Sequence, residues 1–398
     1  MSELFFVVCC FLLAERVWKY VLVKWFFQRA LPSVQAQDKA TISILQPILS
    51  GDPTLWPCLA QNLKIKSRYG LEFLWLVDSD DDLALSGCQQ LMAQYPERNI
   101  QLITLPPPPD GISPKTFKLI AGLKKARGEV IAVLDDDTML PDGGFEMCVP
   151  FLSQPGVGLA FGLPYYVNFS NVWSALVSCF VNSHSLLTYI PYTFLIEPMT
   201  INGMFYVVKR DILERAGGFA GLESAVCDDY AIARRFRAHN YRLAQTPLCH
   251  GITTQVQSFG HYLSLLKRWL VFPQISIMKT APLSELAVFY SMAVLPPFFP
   301  LLVIGGVLLW PSRYAILAAL LYFGFNFYMM VQFNRHYLYR ATPHGKMIGM
   351  FVIQLLLPFQ IFGALLRPGQ INWRGHTLHL TARGRFHFVR RRMRPDQK

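Results

Sequence analysis

Two long apolar runs near the end of the chain constrain its fold more than any other feature. Residues 286–310 and 314–331 are close to or longer than the roughly 20 apolar residues that a helix needs to cross a bilayer. The chain is 53% hydrophobic, and this excess is concentrated in these runs and near the N-terminus. The pattern predicts a multi-pass integral membrane protein.

A third apolar run, residues 347–366, is less suited to lipid because it contains Gln354, Pro358 and Gln360. A full crossing there would also place the basic tail, residues 367–398, on the outer side, against the positive-inside rule. We therefore expect two crossings and one re-entrant or interfacial segment. Because the tail follows membrane helices, its arginines favour anionic lipid headgroups over nucleic acid as a partner.

The N-terminal run, residues 4–27, is interrupted by Glu15, Arg16 and Lys19. Charges at membrane depth are costly and usually face protein or water. We interpret residues 1–30 as a retained membrane anchor, with a tilted or interfacial helix as the alternative. Basic residues follow this run and only one acidic residue precedes it, which predicts that the next domain is cytoplasmic.

Between the membrane segments, short β-branched and aromatic runs alternate with helical patterns. This alternation predicts a parallel α/β sheet with right-handed crossovers. The strands are expected at 41–45, 71–77, 100–105 and 130–134, with helices at 55–65, 83–95 and 114–126. The predicted organisation is a soluble domain at 38–255, an interfacial amphipathic segment at 256–284 and membrane helices at 285–366.

Acidic residues follow two of the predicted strands. The strand at 71–77 runs into a segment with aspartates at 78, 80, 81 and 82, and the strand at 130–134 runs into Asp135, Asp136 and Asp137. Ligands of open parallel sheets lie beyond these carboxyl ends. No glycine-rich phosphate loop follows the first strand, so a metal is expected to neutralise phosphate charge.

The two outer aspartates of the second cluster suit a hard divalent cation, Mg²⁺ or Mn²⁺, that bridges the protein to a diphosphate. In an extended segment alternate side chains point the same way. Asp135 and Asp137 can therefore share the cation, while Asp136 need not take part.

An ordered series of motifs, rather than any one of them, identifies a family. The series is PILSGDP, ISPK, LDDDT, VGLAFGLPYYV, INGM, CDDY and KRW. It resembles ceramide glucosyltransferases and their hopanoid-associated relatives, which are family 2/21-type glycosyltransferases of GT-A fold. The resemblance extends from about residue 43 to 269 and continues weakly to about 371. It implies a GT-A (Rossmann-like) α/β domain that binds a UDP-sugar.

The resemblance also implies donor-site roles. The family's first aspartate falls on Asp82, or alternatively on Asp78, and would face the nucleotide. The second falls on Asp135, with Asp137 completing the metal-binding pair. Lys115 would add positive charge near the diphosphate.

Further roles concern the acceptor and the base. Asp229, at the start of a predicted helix, matches the family's third aspartate and is the candidate base, beside Asp228 where the family has glutamate. His184 matches a histidine beside the family's active site. Arg268 and Trp269 match the end of the family's (Q/R)xxRW motif, and Trp269 could also contact the acceptor.

Three departures from the family pattern leave the donor sugar and the acceptor open. The first position of (Q/R)xxRW is Leu265, the usual lysine before the first proline is Gln46, and the usual Asn-Asn pair is Phe117-Lys118. We predict a membrane-bound inverting glycosyltransferase that moves a sugar, with glucose from UDP-glucose as the first choice, to a lipid hydroxyl such as that of ceramide, giving a β-glycolipid. The alternatives are a processive polysaccharide synthase, a glycosyltransferase acting on another lipid such as diacylglycerol or a hopanoid, and a non-catalytic membrane scaffold. The oligomeric state stays open.

Overall fold

The computed structural model describes residues 2–33, 40–225, 227–278, 280–365, 370–373, 376–380 and 386–390. The chain divides into two compact units. The membrane unit comprises Met1–Ala30, Tyr165–Glu197 and Ala281–Gly363, and the catalytic unit comprises Leu31–Pro164, Pro198–Thr280 and Ala364–Lys398. Most of the predicted basic tail lies outside the described residues.

The catalytic unit is built on an eight-stranded sheet with the strand order β3-β2-β1-β4-β7-β6-β8-β5. Its strands are β1 (Thr41–Pro47), β2 (Gly70–Asp78), β3 (Asn99–Leu105), β4 (Val130–Leu134), β5 (Thr138–Met139), β6 (Val157–Tyr166), β7 (Phe205–Lys209) and β8 (Arg242–Ile252). Three short antiparallel strands follow near the end of the chain: β9 (Gln370–Trp373), β10 (His376–Leu380) and β11 (Phe386–Arg390).

The strands alternate between two hydrophobic cores. In β1, Ile42 and Ile44 face one core and Leu45 faces the other, and β4 repeats the pattern with Ala132 and Val133. A sheet buried on both faces is typical of α/β proteins. The predicted α/β class is therefore confirmed.

The sheet is mixed rather than wholly parallel. Strands β1 to β4 pair in parallel, as predicted, whereas β7 pairs antiparallel with both β4 and β6. The residues of β6 are all buried, so its sequence carries no alternation from which a strand direction could be inferred.

The catalytic unit's helices agree with the predicted ones to within about two residues where predictions were made. They are α2 (Leu55–Leu63), α3 (Asp82–Gln94), α4 (Pro114–Lys125), α5 (Gly144–Cys148), α7 (Arg210–Arg215), α8 (Asp228–Ala238) and α9 (Phe259–Ile277). The start of α4 follows from its sequence, because Ser113 caps it and Pro114 occupies its first turn.

The membrane unit is helical in its described part. Its helices are α1 (Ser2–Gln28), α6 (Val172–Tyr192), α10 (Leu283–Phe289), α11 (Phe299–Leu309), α12 (Arg313–His336) and α13 (Met347–Leu365). Among the residues that the structure describes, three segments are able to cross a membrane by length and composition: Leu283–Leu309, Arg313–His336 and His344–Gly363. The third is a continuous helix through Pro358, and its re-entrant or interfacial placement remains a prediction.

Helix α1 turns the charged residues in its middle inward. Arg16 and Lys19 are 5% and 1% exposed, whereas one face of the helix presents large apolar side chains such as Phe11 and Trp18. Glu15 pairs with both cations, at 2.6 Å to Arg16 Nε and 2.8 Å to Lys19 Nζ. This arrangement agrees with a membrane anchor whose charged residues face protein.

Helix α6 belongs to the membrane unit, although its residues fall inside the soluble domain predicted at 38–255. Asn182 ties this helix to its own unit by donating to Thr342 Oγ1 at 3.0 Å. The sequence places α6 between catalytic motifs, so its separate packing could not be inferred from chain order.

Candidate active site

Both acidic loops converge on the segment that follows β1. Asp136 accepts a hydrogen bond from Leu49 N at 2.9 Å. Asp81 accepts from Ser50 N at 2.9 Å and from Ser50 Oγ at 2.6 Å. Because β1 lies between β2 and β4 in the sheet, the ends of these strands meet at one edge, as predicted from their parallel order.

Burial alternates along the loop after β4, as expected. Asp136 is buried at 3% exposure, while Asp135 and Asp137 are half-buried. The backbone of Asp135 is fixed by a hydrogen bond from its N–H to Met204 O, at 2.9 Å. The carboxylate of Asp137 accepts from Thr254 Oγ1. Asp136 therefore has a structural partner, whereas the outer two residues are more exposed, and their role as metal ligands stays a prediction.

The donor set fits a divalent cation that also binds substrate. Asp135 and Asp137 offer hard carboxylate oxygens, and Asp136 is committed to Leu49. Among the described residues, no cluster of three or more histidine, cysteine, aspartate or glutamate side chains is arranged to hold a metal. Mg²⁺ commonly binds through one or two carboxylates together with substrate phosphates. Two carboxylates leave coordination positions for a diphosphate.

Asp229 lies in the first turn of α8, against Gly203. Burial, followed by repulsion from the Asp228 carboxylate, raises the pKa of Asp229 to about 8, although Lys115 and the Gly203 N–H act in the opposite direction. Such a carboxylate holds a proton well near neutral pH. That property suits a group that accepts a proton during a reaction.

Lys115 lies among the acidic groups of the site. Its Nζ is 2.8 Å from Asp135 Oδ1 and 3.4 Å from Asp228 Oδ2, and it donates to Gly203 O at 2.9 Å. Burial acts to lower the pKa of Lys115, but the surrounding carboxylates raise it well above its ordinary value. The side chain is therefore a fixed cation.

Asp78 ends β2 and is 8% exposed. Its Oδ2 pairs with Lys118 Nζ at 2.9 Å, and the same ammonium donates to Ile48 O at 2.9 Å. Burial raises the pKa of Asp78, with Lys118 opposing the shift. Asp78 Oδ1 is buried and has no hydrogen-bond partner among the described protein atoms.

In the first acidic loop, Asp81 caps a helix and Asp82 is exposed. Asp81 caps α3 by accepting from Ala84 N at 3.2 Å, as well as holding Ser50. Asp82, the first residue of α3, is exposed. Of the two alternatives for the nucleotide-facing aspartate, the buried position of Asp78 favours it over Asp82.

Helix α9 carries Arg268 and Trp269, both half-buried, while Leu265 is buried. Burial, then the charge of Arg268, lowers the pKa of His261 two turns earlier on the same helix, and Asp52 opposes the shift. The structure assigns these two motif residues to the catalytic unit, and their predicted donor and acceptor roles stay predictions.

His184 lies on α6 and belongs to the membrane unit, whereas the other predicted site residues belong to the catalytic unit. Its Nδ1 is 3.0 Å from Phe180 O. Ser183 Oγ lies 2.8 Å from the same nitrogen, so this side of the ring is held by residues of its own helix. The role of His184 toward an acceptor remains a prediction.

Three residues that matter to the site were not predicted from the sequence. Gly203 holds Lys115 and Asp229, Lys118 pairs with Asp78, and Asp52 accepts from Gln255 N at 3.1 Å. Gly203 and Asp52 stand inside the INGM and PILSGDP motifs, and these motifs were the signal that could have identified them. Lys118 appeared only as a departure from the family's Asn-Asn pair.

The model of glycosyl transferase family 21 matches residues 5–386 of this 398-residue chain. The chain belongs to this family. The resemblance inferred from the motifs is thereby confirmed, and the protein is a glycosyltransferase. The match extends through both units, so it is not confined to the catalytic sheet.

Two ceramide glucosyltransferases of Caenorhabditis elegans are similar to this chain. Ceramide glucosyltransferase 3 is 23% identical over 352 residues, which cover 85% of this chain and 72% of that protein. Ceramide glucosyltransferase 1 is 23% identical over 207 residues, covering 51% of this chain and 43% of that protein.

Among solved structures, the chain is similar to the mannosyltransferase PcManGT from Pyrobaculum calidifontis, in complex with GDP-Man and Mn²⁺. The TM-score is 0.49 with 16% identity, over 92% of this chain and 99% of that chain. A likeness this weak carries no conclusion about substrates, so the chemistry of the site has to follow from its own residues.

Proposed function

We propose that the protein transfers glucose from UDP-glucose to a lipid hydroxyl such as that of ceramide, with inversion to a β-glycoside. The observation that best supports this function is a cluster of four charged side chains at the carboxyl edge of the sheet: Asp229, Asp228, Lys115 and Asp135. This cluster combines a proton acceptor with the first carboxylate of a D-x-D pair. The family membership and the similarity to ceramide glucosyltransferases support the lipid acceptor.

The donor site is proposed to include Asp78, Asp135 and Asp137. Asp78 Oδ1 is an acceptor for an N–H or O–H group of the nucleoside. Asp135 and Asp137 would hold Mg²⁺ or Mn²⁺, which supplies a Lewis acid for the diphosphate oxygens. Arg268 and Trp269 are proposed to complete the donor site from α9.

Asp229 acts as the general base in this proposal. It takes the proton of the acceptor hydroxyl while the acceptor oxygen bonds to the anomeric carbon and the bond from that carbon to the diphosphate oxygen breaks. The proton goes to Asp229, the sugar goes to the acceptor oxygen and the nucleoside diphosphate leaves, so no covalent intermediate with the protein is needed. A single displacement of this kind turns an α-linked donor into a β-linked product.

The membrane placement is proposed from the sequence and from the apolar helices. Three segments are able to cross a bilayer, and basic residues follow α1. The positive-inside rule then assigns the catalytic unit to the cytoplasm. Asp228 and Trp269, both in the catalytic unit, are proposed to contact the lipid acceptor.

The test is a transfer assay with the purified full-length protein in detergent or vesicles. UDP-glucose, UDP-galactose and UDP-N-acetylglucosamine are each combined with ceramide, diacylglycerol and a hopanoid alcohol, with and without EDTA. We expect a β-linked glycolipid, identified by mass spectrometry and NMR, that is lost with EDTA. Metal-dependent transfer to a different lipid would reassign the acceptor, and no product with any pair would refute the proposed function.

A further inference from the structure

The Lys115 ammonium has three close partners within the protein. The contacts run to Asp135 at 2.8 Å, to the Gly203 carbonyl at 2.9 Å and to Asp228 at 3.4 Å. We propose that Lys115 and the Gly203–Met204 backbone form a bridge that positions the base, Asp229, relative to Asp135, and that Lys115 does not bind the donor's phosphates. This inference rests on the proposed function.

The backbone part of the bridge contacts both ends of the site. The Gly203 carbonyl accepts from Lys115 and its N–H donates to Asp229. The next carbonyl, of Met204, accepts from the N–H of Asp135 at 2.9 Å. Two consecutive residues therefore connect the base to the first residue of the D-x-D pair.

Glycine at position 203 is required by close packing. A methyl group on its Cα would overlap the carboxylate of Asp229, because Oδ1 of that side chain lies directly against the position that a Cβ would occupy. Any larger residue would push the base aside. The absence of a side chain is thus part of how Asp229 is held.

Electrostatics also oppose a phosphate role for Lys115. Its side chain is only 16% exposed, and Asp135, Asp228 and Asp229 surround it. Turning the ammonium toward a diphosphate would break its contacts with Asp135, Asp228 and the Gly203 carbonyl. A partly buried carboxylate cluster of this kind is costly to leave unpaired.

The two roles predict opposite kinetic changes. A phosphate ligand contributes to donor binding, so its loss raises the donor KM or Kd. A positioning residue affects the transfer step, where misplacement by about 1 Å can cost on the order of 100-fold in rate. The split between KM and kcat therefore distinguishes them.

The first experiment compares Lys115→Met with wild type in the full-length protein. We expect kcat to fall by about 100-fold, with the donor KM and the Kd of UDP with Mn²⁺ changing by less than about threefold. Lys124→Met is the matched control, because Lys124 is exposed on the same helix. A rise of about tenfold or more in KM and Kd with kcat retained would overturn the positioning role.

The second experiment tests whether Lys115 acts through its neighbours. In the double variant Lys115→Met/Asp228→Asn, kcat should fall by clearly less than the product of the two single losses, because both substitutions break the same contact. Multiplicative losses would contradict the bridge.

Gly203→Ala tests the backbone part. It should lower kcat while UDP binding and the apparent Tm are retained, and full activity would refute the packing argument. Gly70→Ala is the control, since a Cβ there meets only ordinary contacts. If wild type itself transferred no sugar, the proposed function would fail; if wild type were active and Lys115→Met changed only KM, the bridge alone would fail.

Discussion

Asp135, Asp136 and Asp137 are adjacent in the chain but differ in environment. Asp136 is buried and accepts from Leu49 N, whereas its two neighbours are half-buried at the site. This division follows from the extended backbone at the end of β4, which turns alternate side chains to opposite sides.

The first prediction concerns isosteric changes at these three positions. Asp136→Asn keeps an oxygen that can accept from Leu49 N, so transfer should fall by less than about tenfold, which is under about 1.4 kcal/mol. Asp135→Asn and Asp137→Asn should each cost at least about 100-fold, because they remove charge from the proposed metal site. Initial rates at saturating Mn²⁺ check this, and equal losses at all three positions would contradict the alternation.

The raised pKa of Asp229 also predicts an effect on stability. Its pKa is about 8 in the folded protein and about 3.9 in an unfolded chain. The folded state therefore binds more protons than the unfolded state between these values. Stability from this group is fully present below pH 4 and is lost as the pH rises toward 8.

The second prediction is therefore that Asp229→Asn abolishes transfer and stabilises the metal-free protein at pH 8. The apparent Tm in EDTA should exceed that of wild type by about 2 °C or more at pH 8, and the difference should shrink at pH 5. Thermal unfolding followed by tryptophan fluorescence measures this. A difference in apparent Tm that does not depend on pH would show that ionisation of Asp229 does not destabilise the folded protein.

At the level of secondary structure, α1 combines an apolar outer face with a buried charge cluster. Glu15, Arg16 and Lys19 together carry one net positive charge. Lys19 Nζ also donates to Met292 O at 3.2 Å, within the π-helical turn Tyr290–Val294. A π-turn leaves carbonyls without their usual helical partner, and Lys19 supplies one.

The third prediction follows from counting charges in this cluster. Glu15→Gln leaves two adjacent buried cations without an anion, whereas Lys19→Met leaves a neutral Glu15–Arg16 pair. Removing the shared anion should cost about 3–5 kcal/mol, and Lys19→Met clearly less. Apparent Tm values in one detergent compare the two variants. A larger loss for Lys19→Met would show that its contact with Met292 dominates.

The secondary structure elements show what a sequence can predict. Strands β1 to β4 and helices α2 to α4 were predicted within about two residues, because each has a strong local pattern and clear boundaries. The antiparallel β7 and the packing of α6 with the membrane helices were not predicted. Both depend on contacts between distant segments, and their own residues specify no partner.

The candidate site also has a part that could be predicted and a part that could not. The placement of the D-x-D pair and of Asp78 at one edge of the sheet could be predicted, because the strand ends of a parallel sheet meet there. Gly203 could not, since its partner Lys115 is 88 residues away and its role depends on what a Cβ would touch. Lys118 was visible in the sequence only as an unusual residue, and its pairing with Asp78 appears in the fold.

At the scale of the whole molecule, the match to family 21 covers both the eight-stranded sheet and the helices that are able to cross a membrane. Each unit has its own hydrophobic clusters, and the charged cluster around Lys115 belongs to one unit while His184 belongs to the other. This division agrees with the proposed function, in which a water-soluble nucleotide-sugar donor reacts with a lipid acceptor.

Sugar transfer by wild type and Asp229→Asn, measured side by side in the UDP-sugar and lipid panel, tests the proposed chemistry most directly. We expect wild type to form a metal-dependent β-glycolipid, and Asp229→Asn to bind UDP with Mn²⁺ as wild type does while forming at least about 1,000-fold less product, as the loss of a general base requires. Wild-type rates of transfer by Asp229→Asn would contradict the assignment of Asp229 as the base.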